Sequence, residues 1–396
     1  MKKTTLIILL SLSFATMGQE LPVRYRAIVD KVATGAMVEE CHRRSLSAVA
    51  ESFADPLFAD PEVEGGYYWG SPTEVGRRWD LSVSQEFSFP TVYKHRADIR
   101  RLQKESVLKD FQSQRFAFCR EAQDLCADLV CSNALVKLRE RCVDNLSAIA
   151  EVYERRMAAG DCSILDFNRV KMELADAQNH LEMSRAERDM LLVELRVLCS
   201  DESLTFETDS YDEVVLPTDF ASWFDYCRSV SPTLQSLSNQ AAVDSMRLRL
   251  AQTERLPRMA VGYASENVVG ETFRGATLGL SIPLWNNKGR ASQARFEWEA
   301  SQYAAATAEM RYRNHLQGVW NKAVALRGSE RRMAENMASC NSMELLRKAL
   351  DAGEITLERY LQEANFYNDA EQSLFEVRRE LEHAVLELMP AFDLDR

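Results

Sequence analysis

Histidine, cysteine and methionine are the side chains of this sequence that could bind a metal or act as nucleophiles. The five histidines, at positions 42, 95, 180, 315 and 383, are scattered without the spacing of metal ligands, although His42 adjoins Cys41. Met333 and Met337 share a helical face, a pattern more typical of core packing than of soft-metal binding. The sequence also lacks a phosphate-binding loop, a nucleophile elbow and an HExxH motif. We therefore predict no enzyme activity, no cofactor and no metal site.

The nine cysteines are an odd number, so at least one is free or bridges two chains. Cys119 and Cys126 share a helical face but lie about 10 Å apart along it, beyond the disulfide reach of roughly 7 Å between Cα atoms. We interpret most of the nine as small apolar packing residues.

Residues 1–18 have the pattern of a secretory signal peptide, because Lys2 and Lys3 precede an apolar run and small residues come before Gln19. The formal net charge is -12, and it becomes -14 without those two lysines, which argues against a nucleic-acid partner. No later run of about 18–20 apolar residues could form a transmembrane helix. If the mature protein enters a membrane, we expect it to do so as a β-barrel.

Three landmarks occur twice, in the same order, about 193–196 residues apart, which predicts an internal duplication. The pairs are a P-x4-G-Y motif at 61–67 and 257–263, Ser88-Phe89-Pro90 and Ser281-Ile282-Pro283, and the glycines Gly160 and Gly353. The predicted units are residues 19–200 and 225–396. The acidic residues 201–224 lack a helical period and are predicted to connect them.

Each unit is predicted to begin with a helix and a β-hairpin, at about 63–89 and about 258–283. From Trp79 to Phe89 the odd positions are mainly apolar and the even ones polar, the period of a strand with one apolar face. Aromatic residues cluster at the strand ends and could form membrane-interface girdles or fill a soluble core. Basic residues such as Lys94 and Arg290 follow the strands, where lipid phosphates or simply solvent would meet them.

Each hairpin is followed by a long helical hairpin, at about 91–199 with its tip at 158–164, and at about 290–388 with its tip at 351–357. Apolar residues recur every seven positions from Ala122 to Met157, with neither proline nor glycine between Pro90 and Gly160. Such a helix approaches about 100 Å. Leu135, Cys142 and Ile149 form a second apolar row, which favours the wall of a helical barrel, although an ordinary antiparallel bundle would also bury it.

Four strands do not close a barrel, whereas three chains with four strands each give twelve, an even number suited to an outer-membrane barrel. The strand exit Ser-Ile-Pro-Leu-Trp-Asn-Asn-Lys-Gly-Arg-Ala at 281–291, the Ser-Pro-Thr-Leu start at 231–234 and the Gly-x-x-[Ser/Thr]-[Ile/Leu] turns resemble the TolC-type outer membrane efflux family. The resemblance covers nearly the whole mature chain. It implies a mainly α-helical homotrimer whose twelve-stranded outer-membrane β-barrel continues into a periplasmic α-helical barrel.

The resemblance also implies partners and contact residues. In this family the helix tips meet a periplasmic adaptor, which couples the passive channel to an inner-membrane pump of the RND or ABC type. The adaptor-docking positions carried over by motif are Gly160, Ser163, Ile164, Asp166, Gly353, Thr356 and Leu357. Family members place two gating aspartates where this chain has Arg359 and Gln362, so that a periplasmic gate would use these residues together with Glu358 and Glu363.

Two other functions remain open on the sequence. A periplasmic adaptor also has a long helical hairpin, but only one, flanked by small β-domains. A structural coiled-coil protein of the envelope would explain the heptads, but it leaves the alternating strands and aromatic strand ends unexplained.

Overall fold

The computed structural model describes residues 23–54, 56–213, 216–217, 219–283, 288–339 and 343–389. The predicted signal peptide and part of the 281–291 strand exit lie outside these residues. In the first half, the elements are α1 (Val23–Ala33), α2 (Ala36–Ser52), β1 (Glu62–Trp69), β2 (Arg77–Phe87), α3 (Pro90–Ala158) and α4 (Ile164–Cys199). A short 3-10 turn, Thr73–Val75, joins the two strands.

The second half runs through two short helices, two strands and three further helices. They are α5 (Phe220–Val230), α6 (Pro232–Thr253), β3 (Arg258–Val268), β4 (Glu271–Ser281), α7 (Lys288–Ser339), α8 (Met343–Asp351) and α9 (Leu357–Leu388). The helix predicted from about residue 290 to 350 corresponds to α7 and α8, and residues 340–342 between them lie outside the described residues. Among the described residues, no helix is both long and apolar enough to cross a membrane.

The connector predicted at 201–224 contains the start of a helix, because α5 begins at Phe220. Asp219 caps this helix by accepting hydrogen bonds from the backbone N–H groups of Ala221 and Ser222. Phe220 and Phe224, one helical turn apart, are buried against α7 and α9. With Cys227 they form one buried face at helical spacing, which stabilises α5 by tertiary packing.

The four strands form one antiparallel sheet in the order β1-β2-β3-β4. The two hairpins, which are far apart in sequence, meet where β2 pairs with β3 from Arg78 opposite Val268 to Phe87 opposite Met259. In the described chain, β1 and β4 each pair with a strand on one side only. Their outer edges therefore carry backbone groups that are available to another strand.

The long helices pack side by side below the sheet. α3 packs against both α4 and α9, and α7 packs against α9, so that α4 and α7 lie at the two ends of this order. Near the middle, Tyr25, Val29, Cys126, Leu195 and Leu386 form a buried cluster that joins α1, α3, α4 and α9. The 69 residues of α3 run through this cluster to the tip.

The cysteines of the described chain are free thiols, and five of them are buried: Cys119, Cys126, Cys131, Cys199 and Cys227. Burial raises the pKa of Cys119 and of Cys131 to about 11. These thiols therefore stay protonated at neutral pH and pack as small apolar groups, as predicted.

Candidate functional site

The first candidate site is the turn between α3 and α4. Gly160 has a φ of 78°, in the left-handed region, and the N–H groups of Gly160 and Asp161 donate to the carbonyls of Met157 and Arg156. This pattern ends a helix and favours glycine. Ser163 then caps α4, because its Oγ accepts a hydrogen bond of 3.1 Å from the N–H of Leu165.

The turn between α8 and α9 has the same geometry. Gly353 has a φ of 71°, and the N–H groups of Gly353 and Glu354 donate to the carbonyls of Leu350 and Ala349. Thr356 caps α9 by accepting a hydrogen bond of 3.2 Å from the N–H of Arg359. Gly160, Ser163, Gly353 and Thr356, which the resemblance gave as docking positions, therefore each have a defined local role in ending or capping a helix.

A buried cluster brings the two turns together at one end of the molecule. Ile149 and Tyr153 of α3, Val170 of α4, and Tyr360 and Leu361 of α9 form its centre. The predicted contact residues thus share a surface although the two turns are 193 positions apart in the sequence.

The equivalent residues Ile164 and Leu357 differ in exposure. Ile164 is 50% exposed and the following Leu165 is 74% exposed, whereas Leu357 is 6% exposed within the cluster. Gly160, Ser163, Asp166, Gly353 and Thr356 are all exposed. Leu357 is therefore a core residue of the tip in this chain, and the accessible apolar surface lies on the first turn of α4.

The four residues predicted to form a gate lie on the first two turns of α9. An ion pair of 3.4 Å joins Arg169 Nη1 of α4 to Glu358 Oε1, so that it links the two helical hairpins. Arg359 pairs with Glu363 one turn later, and Gln362 is exposed. Glu358 and Glu363 are therefore each paired with an arginine. Members of the family that the sequence resembles have aspartates at the positions of Arg359 and Gln362.

A polar contact that the sequence did not predict involves Tyr360, which lies among the predicted gate residues of α9. Asn145 Nδ2 of α3 lies 2.7 Å from the hydroxyl of buried Tyr360, and Arg347 Nη1 of α8 donates to Asn145 Oδ1 at 3.2 Å. It connects three helices through one amide. A single asparagine within a heptad pattern gives no signal of its partners, which lie more than 200 positions away.

The second candidate site is the sheet, whose two faces differ sharply. One face carries a continuous set of large apolar side chains, each at least 40% exposed. They are Val63, Tyr67, Trp69, Trp79, Leu81, Val83, Phe87, Met259, Val261, Tyr263, Leu278 and Leu280. An uncovered apolar surface of this extent marks contact with lipid or with another protein.

In the central strands β2 and β3 the opposite face is polar and yet better shielded from solvent, whereas both faces of β1 and β4 are largely exposed. In β2, Asp80, Ser82, Ser84 and Glu86 are half-buried, while the apolar residues between them are exposed. β3 repeats the arrangement from Met259 to Ala264. This reverses the order in water-soluble sheets, where the apolar face is the covered one, and it matches strands that face lipid on one side.

Comparisons with solved structures bear on this arrangement. The chain superposes on CusC, described as forming a transmembrane channel, with a TM-score of 0.78 and 12% identity over 95% of each chain. It superposes on the Campylobacter jejuni CmeC outer membrane channel with a TM-score of 0.76 and 11% identity over 93% of this chain and 85% of that one. For the outer membrane protein VceC from Vibrio cholerae the values are 0.74 and 11%, over 93% and 95%.

The chain has the fold of outer membrane channels. No protein-family profile and no curated sequence matches it, so at 11–12% identity the likeness extends to the fold alone. The mainly helical architecture with a small antiparallel sheet, as implied by the resemblance, is confirmed.

Within this channel fold, α4 and α7 each carry an exposed apolar row with a seven-residue period. On α4 the row is Met183, Met190 and Val197, and on α7 it is Phe296, Tyr303 and Met310. All six are 58–77% exposed. Such rows are the seams by which helices pack in coiled coils, and no helix of the described residues covers them.

The α3–α9 contact of the channel fold contains a half-buried charge cluster. His383 Nδ1 lies 3.1 Å from Asp124 Oδ1, and its Nε2 lies 2.8 Å from Asp128 Oδ1. Arg120 and Arg379 approach the same two carboxylates. Hydrogen bonds to Asp124 and then to Asp128 raise the pKa of His383 to about 9. No group of three or more His, Cys, Asp or Glu in the described ranges could hold a metal ion.

Proposed function

We propose that this chain is one protomer of a homotrimeric outer membrane channel, the passive exit duct of a tripartite efflux or secretion system. The observation that carries the proposal is the sheet, whose apolar face is exposed and whose polar face is half-buried in the central strands β2 and β3. In a membrane this places the apolar side chains in lipid and the polar ones around a water-filled space. The duct itself would catalyse no reaction.

The free edges of the sheet support a trimer. Backbone groups left unpaired in lipid cost several kcal/mol each, so the outer edges of β1 and β4 require partners. Pairing β4 of one copy with β1 of the next closes a barrel of twelve strands from three copies.

The helices support the same assembly. α4 and α7 lie at the two ends of the helical order α4-α3-α9-α7, and each carries an exposed apolar row. Packing the α4 edge of one copy against the α7 edge of the next would continue the order into a closed helical barrel, with each row facing the neighbouring copy at its own height. The two repeat units predicted at 19–200 and 225–396 would then alternate around the tunnel.

The tips are proposed to dock a periplasmic adaptor, which would connect the duct to an inner-membrane pump of the RND or ABC type. The exposed Ile164 and Leu165, beside the turns at Gly160 and Gly353, offer an accessible apolar surface for another helical hairpin. Asp166, Ser163 and Thr356 would surround it with polar groups. The tunnel would thus run from the outer membrane through the periplasm to the adaptor.

The gate is proposed to lie at the same end. Opening there would separate the hairpin that contains α4 from the one that contains α9, which breaks the Arg169–Glu358 ion pair. Glu358, Arg359, Gln362 and Glu363 would then line the entrance.

The two alternative functions are less well supported. An adaptor or a structural coiled-coil protein does not need a sheet with an exposed apolar face. The superpositions on channels also extend over 93–95% of this chain, including both helical hairpins.

The decisive experiment is to extract the full-length protein from outer membranes, measure its oligomeric mass and reconstitute it in a planar bilayer. We expect a trimer that conducts ions in discrete steps. A water-soluble monomer without conductance would contradict the proposal. A trimer that fractionates with the periplasm and does not conduct would favour the adaptor instead.

A further inference from the structure

The two faces of the sheet also differ in charge. The four strands contain six acidic residues, and the strand register places all of them on the polar face. They are Glu62, Glu64, Asp80, Glu86, Glu266 and Glu271. Acidic residues are thus excluded from the apolar face, as lipid contact would require.

Four arginines in the strands offset this charge only in part. Arg78 Nε pairs with Glu266 Oε1 at 2.8 Å, and Arg258 Nη1 pairs with Glu86 Oε1 at 3.3 Å, both on the polar face. The other two, Arg77 and Arg274, lie on the apolar face, near the hairpin ends of their strands. Six carboxylates against two guanidinium groups leave the polar face with a formal charge of -4 per chain.

The uncompensated charge is concentrated on neighbouring strands. Asp80 of β2 pairs with Gly66 of β1, and Glu64 and Glu62 follow at the next two positions along the same face. In the described chain none of these three carboxylates is in an ion pair. Asp80 Oδ1 is buried and accepts no hydrogen bond there, beside the small Gly66. Carboxylates held together in this way lower the electrostatic potential of the space they face.

We propose that this acidic face makes the channel selective for cations. The inference rests on the proposed function, which turns the polar face toward the pore. Closure of three copies would place twelve net negative charges around one passage with low-dielectric walls. Such a geometry focuses the field, raises the local concentration of cations and excludes anions. Cationic and zwitterionic solutes would accordingly pass more easily than anionic ones.

The test is the reversal potential of the reconstituted protein in a KCl gradient, because K⁺ and Cl⁻ have similar mobilities in water. We expect a K⁺ preference at low ionic strength that weakens near 1 M salt, where the Debye length falls to about 3 Å. The variant E62Q/E64Q/D80N removes three carboxylates at nearly constant side-chain size and should lose most of the preference.

The matched control is R77Q/R274Q, which changes two charges on the opposite face of the same sheet and should leave the reversal potential unchanged. If the triple variant does not assemble, the single variant E64Q decides by a smaller shift in the same direction. The inference would be overturned if the polar-face variants kept the K⁺ preference, or if the wild type preferred anions. Either result would leave the channel function intact. A wild-type protein without conductance would instead remove the proposed function, and this inference with it.

Discussion

His383 illustrates how a single residue joins the two helical hairpins. Its imidazole lies between Asp124 and Asp128, so both ring nitrogens can donate to a carboxylate only when the ring is protonated. The arginines that approach these carboxylates compensate the second negative charge. The His383 side chain is 26% exposed, so solvent screens its interaction with the two aspartates only partly.

This geometry predicts a pH dependence of stability. The pKa of His383 is about 9 in the folded protein against 6.5 as its ordinary value, so protonation favours folding. The stabilisation is complete below about pH 6.5 and is lost as the pH rises through about 9, with an upper limit of roughly 3 kcal/mol. The thermal unfolding midpoint should therefore fall between pH 6.5 and 9.5, and His383→Asn should largely remove that decline.

The control for this prediction is His180→Asn. His180 lies on α4 with its side chain 52% exposed, 3.4 Å from Asp176. Its replacement should leave the pH dependence as in the wild type. Equal slopes for wild type and His383→Asn would contradict the assignment.

At the scale of elements, the turns that end α3 and α8 need glycine because of their backbone conformation. A larger side chain would have room there. A Cβ atom at Gly160 or Gly353 would meet no atom within 4 Å, yet both residues have a positive φ. The left-handed conformation costs a non-glycine residue roughly 1–2 kcal/mol. The two glycines are therefore needed for the conformation of the turns.

We expect Gly160→Ala to destabilise its turn by about 1–2 kcal/mol. Hydrogen exchange should become faster at the N–H of Asp161, whose partner is the carbonyl of Arg156, while exchange in the sheet stays unchanged. The control is Gly318→Ala within α7, where a Cβ also meets open space but the backbone is helical. That change should stabilise the helix by up to about 1 kcal/mol. Similar exchange rates in both variants would contradict the role of φ.

At the scale of the whole molecule, the exposed rows on α4 and α7 are the surfaces by which copies are proposed to assemble. Tyr303 is 77% exposed in the single chain and lies at the centre of the α7 row. Its side chain makes little contribution to the protomer itself, so a change there separates assembly from folding.

We expect Tyr303→Glu to dissociate the trimer, because it would bury a charge between apolar side chains. Mass measurement in detergent should show monomers, and far-UV circular dichroism should show the helical content of the wild type. Gln302→Glu is the matched control, since it adds the same charge at an exposed site about 100° away around the helix. A trimer that tolerates Tyr303→Glu would place the interface elsewhere.

Patterns between neighbouring residues were sufficient for much of the fold. Alternation in residues 79–89 predicted β2, and the absence of proline and glycine between Pro90 and Gly160 predicted α3 and its end. The paired glycines located both tips. These features depend on periodicity and backbone preference within a few residues, which any single sequence displays.

The tertiary structure decided what depends on distant partners. It paired β2 with β3, buried Leu357 while leaving its counterpart Ile164 exposed, and placed His383 beside carboxylates more than 250 positions earlier. It also showed that in β2 and β3 the polar face of the sheet is the shielded one, which alternation alone does not specify. Each of these outcomes is set by the sum of many contacts between remote segments. The sequence by itself therefore determined the elements and their ends. Packing determined which of their surfaces remain available for function.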